Sequence, residues 1–172
     1  MTLDQIANVV EIMGVVAIVS AIIAGWIQIR QHRYDNRNAA LIALASSFED
    51  KEFTDAYLLV TTLEKGTSLA QVREHGDEYE QAALRLGMKF ETVGLMIYKG
   101  YVPIDALEDL VGGAALALWD KLHQYIADMR IDRNHPSFME WFQWLVERLQ
   151  ERGKREGPPA YEAYRNWNSK QT

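Results

Sequence analysis

The sequence predicts an all-α protein in which one N-terminal transmembrane helix is followed by a cytoplasmic helical bundle. Residues 12–29 carry no formally charged side chain. Eighteen helical residues extend roughly 27 Å, close to the thickness of the hydrocarbon core of a bilayer. Further along the chain, apolar residues recur with the 3.6-residue period of a helix, and no segment alternates as a half-buried strand does.

The charges around this span predict its direction. No Lys or Arg precedes Arg30, whereas Arg33 and Arg37 follow it closely. Basic residues are retained on the cytoplasmic side of a membrane. We therefore expect a protein of the cell inner membrane with a short external N-terminus, residues 1–11, and a cytoplasmic C-terminal domain.

Three residues are expected at the membrane–water interface of the cytoplasmic side. Trp26 lies near the end of the span, where an amphipathic ring favours the level of the lipid headgroups. Arg30 and Arg33 follow it. Membrane lipid is thus the first predicted partner.

Two other interpretations of the N-terminal stretch are open. A cleaved signal peptide would begin with basic residues and end at a small-residue cleavage site, but the chain begins Met-Thr-Leu-Asp-Gln. A buried core helix of a soluble protein would show a polar stripe, and Ser20 is the only polar residue between Ile12 and Ile27.

Small residues recur on one face of the span. Ala17, Ala21 and Gly25 are spaced four apart, which lets two helices approach closely in lipid. This face predicts a homo-oligomer or a complex with another membrane protein, although alanine and glycine are also common in spans for compositional reasons.

Composition excludes several classes of function. The 172 residues include no cysteine, which excludes disulfides and thiolate metal sites. Lys and Arg total 18 against 24 Asp and Glu, a net charge of −6. Because nucleic-acid binding needs basic surface to displace counterions, we expect no nucleic-acid partner.

Residues 30–153 are predicted to form the helical domain. A first helix follows Asp50, and Lys65-Gly66-Thr67-Ser68 is typical of a helix stop followed by a new N-cap. The polar residues 67–77 give no clear pattern. A long helix is predicted from Glu78 to Lys99, ended by Gly100.

The long helix is apolar on two sides, which predicts a central place in the bundle. One face carries Leu84, Met88, Leu95 and Tyr98, and the other carries Leu86, Phe90, Val93 and Ile97. Gly87 and Gly94 lie between these faces. Glycine is unfavourable inside a helix by about 0.5–1 kcal/mol, so we expect a neighbouring segment to pack tightly against it.

The remaining elements follow from proline and glycine. Pro103 is expected to open a short helix that Gly112 and Gly113 break, and the next helix covers residues 114–130. Pro136 is expected to start the last long helix, which Gly153 closes. Residues 154–172 form a polar C-terminal tail, expected to be extended or loosely ordered.

One segment of the chain is similar to a known family. The block FETVGLMIYKGYVPID, with Phe90, Glu91, Gly94, Gly100 and Pro103 as its recognisable points, resembles the bacterial family described as domain of unknown function 4760. The similarity covers about residues 8–150. It implies a membrane-anchored, all-helical cytoplasmic domain and no assigned reaction.

Glu91 is the leading candidate for a special role. It lies on an apolar face of the long helix, where a carboxylate must be paired, hydrogen-bonded or protonated. A structural ion pair with Arg30, Arg37 or Arg130 is the first interpretation. A ligand-binding or proton-relay role and simple exposure at the edge of the face are the alternatives.

Trp144 is the candidate for a contact with a partner. It lies toward the edge of the apolar face of its helix, and exposed aromatic residues dominate interface energetics. The alternative is the margin of the core, where tryptophan is common.

The sequence contains no recognisable catalytic motif. It lacks nucleophile motifs, phosphate loops and histidines at metal-ligand spacing, so we infer no catalysis and no cofactor. We expect a membrane-anchored protein-interaction module that associates with itself or with another membrane protein. An accessory subunit of a larger membrane complex is the alternative, and an oligomeric pore is a third.

Overall fold

The computed structural model of the chain describes residues 18, 20–28, 39, 41–153, 160–163 and 165–166. The chain divides into two compact units, Met1–Ser47 and Phe48–Thr172. These described residues form helices, turns and connections without any strand, so the all-α prediction is confirmed.

The predicted span lies only partly within this description. Residues 18 and 20–28 are helical, whereas Ala17, Arg30 and Arg33 fall outside the described residues. Searched over the described positions alone, the chain has no helix that combines the length and the apolar character needed to cross a membrane.

The second unit contains the helices of the domain. Their bounds are α1 Lys51–Thr61, α2 Leu69–His75, α3 Asp77–Tyr98, α4 Ile104–Leu107, α5 Gly113–Asp132, α6 Glu140–Glu151 and α7 Ala160–Ala163, with a π-helical segment at Glu108–Gly112 between α4 and α5. The turn α7 lies in the tail that was predicted to be extended or loosely ordered.

The predicted stop and cap before residue 69 are confirmed. Gly66 has φ +65°, a conformation that glycine adopts without strain. The Ser68 side chain accepts a hydrogen bond from the backbone N–H of Gln71. The Gln71 side-chain oxygen in turn accepts a hydrogen bond from the backbone N–H of Ser68. This capping box starts α2, in the stretch where the pattern of polar residues was uninformative.

Helix α3 confirms the long helix predicted from Glu78 to Lys99. It packs between α1 and α6 and buries Leu86, Phe90 and Val93. Gly100, with φ +73°, follows its end. A central place with both apolar faces covered was expected, but Met88 and Tyr98 remain 52% and 55% exposed.

Gly112 and Gly113 do not interrupt the helical conformation, contrary to the prediction that they break the helix. Both have right-handed helical dihedral angles, and the π-helical segment leads directly into α5. Gly112 is buried, and the nearest atom to a Cβ placed there would be Cγ of Glu108 at 3.5 Å. Glycine weakens a helix without preventing one, and tertiary packing overrides that preference here.

The prediction that Pro136 starts the last helix is wrong, because α6 begins at Glu140. Met139 has φ +54°, so the chain turns just before the helix. The guanidinium of Arg130 donates to the carbonyl oxygens of Phe138 at 2.8 Å and Met139 at 3.3 Å. A side chain on α5 therefore fixes the turn that delays α6.

The start of α6 lies against the glycines of α3. A Cβ on Gly94 would lie 2.2 Å from the carbonyl oxygen of Trp141, and one on Gly87 would lie 2.3 Å from the Met139 side chain. The expected tight neighbour is confirmed. At Gly94 that neighbour is backbone, which cannot move aside as a flexible side chain can.

We expect Gly94→Ala to lower the free energy of unfolding by about 1–3 kcal/mol, because the added methyl group meets backbone in a packed junction. The measurement is chemical denaturation of the full chain in mild detergent, followed by tryptophan fluorescence. Gly113→Ala is the matched control: nothing lies within 4 Å of its Cβ position, so it should be neutral or stabilising. Equal effects of the two substitutions would contradict the close approach.

Candidate functional site

Glu91 forms an unusual cap on α6. Its Oε2 accepts the backbone N–H of Phe142 at 2.8 Å, and the backbone N–H of Trp141 also interacts with the carboxylate. Met139, the N-cap residue of α6, provides no side-chain bond of its own. A carboxylate from α3 thus satisfies donors that the first turn of any helix leaves unpaired.

The ion pair expected for Glu91 is not formed with Arg130. That guanidinium bonds instead to Gln143 at 2.7 Å and to the two carbonyl oxygens before α6. Arg30 and Arg37, the other expected partners, lie outside the described residues. The half-buried carboxylate is hydrogen-bonded through backbone amides, one of the states the sequence required of it.

Burial raises the pKa of Glu91 above its ordinary value. The two backbone N–H groups lower this pKa, because they favour the charged carboxylate. Glu140 raises it further, and the more distant charge of Arg130 lowers it. The loss of solvent outweighs the two cap hydrogen bonds, so the ionised carboxylate is less stable at this junction than it is in water.

Aromatic rings surround this cap. Phe90 of α3 stacks on Phe142 with ring centroids 5.2 Å apart. On the outer side, the ring centroid of Tyr98 lies 4.5 Å from that of Trp141 and 5.8 Å from that of Trp144. Trp144 is half-buried. The predicted partner-contact residue therefore sits in a ring cluster that is only partly covered.

An apolar strip continues from this cluster along α3. We use that name for the five residues Met88, Leu95, Tyr98, Trp141 and Trp144. Tyr98 is three residues beyond Leu95 and Leu95 is seven beyond Met88, so the three share one side of the helix. Sequence reasoning assigned this side to the core, because periodicity does not reveal whether a second layer exists.

Asp128 of α5 caps α2 in the same way that Glu91 caps α6. Its Oδ2 accepts the backbone N–H of Leu69 at 3.0 Å, and its Oδ1 accepts Gln124 at 2.8 Å. The preceding loop is held by carbonyl oxygens of α5, with Gly66 donating to Asp120 at 2.9 Å. Sequence analysis missed Asp128, since one Asp on a polar helix face carries no distinguishing signal.

A groove of about 410 Å³ lies between α5 and α6. Its residues include Leu116, Trp119, Leu149 and Gly153. Asp120, at its edge, pairs with Lys65. Within the part of the chain that the structure describes, no three His, Cys, Asp or Glu residues are grouped so as to hold a metal ion.

Tyr125 carries one of two buried side-chain polar atoms without a hydrogen-bond partner among the described residues, the other being Nε of Arg148. Its side chain is fully buried in α5, and its hydroxyl finds no hydrogen-bond partner among the described residues. Burial raises the pKa of this phenol, and the nearby charge of Glu80 raises it further. It therefore stays neutral and acts as part of the core.

The described residues of the predicted span expose their large side chains. The exposed fractions are 63% at Ile18, 66% at Ile22, 54% at Ile23, 72% at Trp26 and 49% at Ile27. On the small-residue face, Ala21 is exposed and no atom lies within 4 Å of a Cβ placed on Gly25.

A family model described as domain of unknown function, DUF4760, matches residues 14–149. The chain belongs to this family. No curated protein and no solved structure is significantly similar to it.

Three of the five recognisable residues of this DUF4760 chain lie at one junction. Phe90 stacks on Phe142 of α6. Glu91 caps the first turn of that helix, and Gly94 leaves room for the carbonyl of Trp141. Gly100 and Pro103 form the exit from α3 and the entry to α4. The block that carries the resemblance thus builds the contact between α3 and α6.

We expect Glu91→Ala to lower the free energy of unfolding by about 1–2 kcal/mol, the usual effect of losing a helix cap. Glu91→Gln keeps an accepting oxygen and should retain most of that stability. Chemical denaturation measures both. Glu147→Ala is the matched control, an exposed glutamate of α6 expected to change stability by less than about 0.5 kcal/mol. A Gln variant as unstable as the Ala variant would refute the cap.

The raised pKa of Glu91 predicts a pH dependence of stability. Between the unfolded pKa and the higher folded pKa, the folded chain binds more protons than the unfolded chain, so this contribution to stability falls as pH rises. Glu91→Gln does not titrate. The stability of the wild type relative to Glu91→Gln should therefore increase on acidification from neutral pH, as measured by denaturation at several pH values. A decrease in this relative stability on acidification would contradict the raised pKa of Glu91.

Proposed function

We propose that this DUF4760 protein is a membrane-anchored helical interaction module, which associates with itself or with another membrane protein. Residues 12–29 serve as the anchor. Residues 30–153 form the cytoplasmic domain, and the N-terminus is outside.

The exposed isoleucines of residues 18–28 carry this proposal. An isolated soluble helix does not display Ile18, Ile22 and Ile23 to water at half or more of their area, because that exposure is unfavourable. Lipid covers such side chains without requiring a protein neighbour. Trp26, which is 72% exposed, fits the headgroup level beside Arg30 and Arg33.

The interaction role is supported by the structural bonds that the candidate reactive groups make. The carboxylate of Glu91, the strongest candidate for reactivity, is bonded to the backbone of α6. The apolar strip stays open beside it. A domain whose polar groups hold helices together, and which leaves an apolar strip open, is suited to binding a protein.

An accessory subunit of a larger membrane complex is the second form of this proposal. It uses the same anchor and the same open strip, with a different chain as the partner. A pore is less favoured, since Ser20 is the single polar residue between Ile12 and Ile27 and would give a poor hydrophilic lining.

The anchor is tested by alkaline extraction of membranes from cells that express the full chain. We expect the protein in the membrane pellet, with release by detergent alone. Replacing Ile22 and Ile23 by lysine should release a large fraction, because each charge near the centre of a span is unfavourable by about 2.5–3.5 kcal/mol. Wild-type protein in the soluble fraction without detergent would overturn the proposal.

Direction and association are tested separately. A C-terminal reporter active only in the cytoplasm should give signal, and one active only outside should not. Native mass spectrometry in mild detergent should show an oligomer or a co-purifying membrane protein. Lone monomers with no associated protein would remove the interaction role while leaving the anchor intact.

A further inference from the structure

We propose that the apolar strip on α3 and α6 is the surface through which two copies of this chain pair, about a two-fold axis that runs along the strip. This inference rests on the proposed interaction function and names the partner as a second copy. It assigns the contact to the cytoplasmic domain, in addition to the small-residue face of the span.

The strip includes residues of two helices. Met88 and Leu95 expose 52% and 38% of their area, and Tyr98 exposes 55%. Tyr98 joins them to α6, because its ring lies against both Trp141 and Trp144. Methionine and aromatic side chains are the residue types enriched in protein interfaces.

The two edges of the strip carry opposite charge. On the α3 side lie Arg85 and Lys99, both on the helix face next to Met88 and Leu95. On the α6 side lie the exposed Glu140 and Glu147, while Arg148 on the same face is neutralised by its ion pair with Glu151. Arg85 is already paired with a glutamate of α1, whereas Lys99 has no ion-pair partner among the described residues.

This arrangement of charge selects a second copy as the partner. When two identical faces pack about an axis that runs along the strip, the rotation exchanges their edges. The basic edge of each copy then lies opposite the acidic edge of the other, and the apolar centres meet. The surface is thus complementary to itself in both charge and hydrophobicity.

Lipid and the remaining segments of the chain fit the strip less well. The net charge of −6 and the glutamates at one edge oppose docking on an anionic leaflet, which attracts polybasic surfaces. Residues 29–38, 154–159 and 167–172 each contain at most two large apolar side chains. Residues 1–17 precede and enter the proposed anchor.

The absence of cysteine from the chain allows a clean test by cross-linking. Leu95→Cys is placed in the full-length chain in native membranes and treated with a short bifunctional maleimide. Ile131→Cys is the matched control, since Ile131 is 81% exposed on the side of α5 opposite the core-facing Leu122. We expect a band of twice the chain mass, several-fold stronger for Leu95→Cys.

Charge reversal then tests the pairing of the edges. Lys99→Glu and Glu147→Lys should each reduce the Leu95→Cys cross-link several-fold, because each places like charges opposite one another. The double reversal should restore the cross-link. Loss in the single variants with recovery in the double variant is not expected from misfolding.

Other outcomes overturn the inference, and each points to a different occupant. A cross-linked band of another mass assigns the strip to a different protein. Quenching by brominated lipid that persists in a Trp26→Phe variant and disappears when Trp141 and Trp144 are also replaced by Phe, with no cross-link, assigns it to the membrane. If native mass spectrometry shows an oligomer but Leu95→Cys and Ile131→Cys react equally, self-association stands and this face is wrong. If only lone monomers are found, both self-association and the assignment of the strip are refuted.

Discussion

The domain depends on the contact between α3 and the first turn of α6. Helix α6 follows a left-handed residue, Met139, and its own N-cap provides no side-chain bond. Glu91 supplies the missing acceptor from another helix. It reaches the amides because Gly94 lets the carbonyl of Trp141 approach α3 more closely than a Cβ would allow. The absence of one side chain thus makes room for the function of another.

The same device is used at a second helix, where Asp128 of α5 caps α2. Both capped helices are short, and a helix of twelve or seven residues is marginal in water by itself. Both carboxylates project from the long helices α3 and α5. The long helices therefore stabilise the short ones through their ends as well as through apolar packing, and the first turn of α6 cannot separate from α3 without leaving backbone donors unpaired.

Local signals predicted most of the elements. The long helix over Glu78 to Lys99, the stop and cap between Lys65 and Ser68, and the tight neighbour of Gly94 all follow from residue types within a few positions. The errors have a tertiary cause. Arg130 delays α6 beyond Pro136, packing carries the chain through Gly112 and Gly113, and no pattern along α3 could reveal that Met88 and Leu95 lack a covering layer. The cap by Glu91 was likewise hidden, because the carboxylate and its Phe142 donor are 51 residues apart in the chain.

The junction also fixes Trp141 and Trp144 beside Tyr98. Amide hydrogen exchange in the full chain, in mild detergent, tests this account most directly. We expect the amides of Trp141 and Phe142 to be protected in the wild type, and Glu91→Ala to remove that protection in the first turn of α6 while α5 stays protected. Rapid exchange of both amides in the wild-type protein, or protection that survives Glu91→Ala, would contradict the role assigned to the cap.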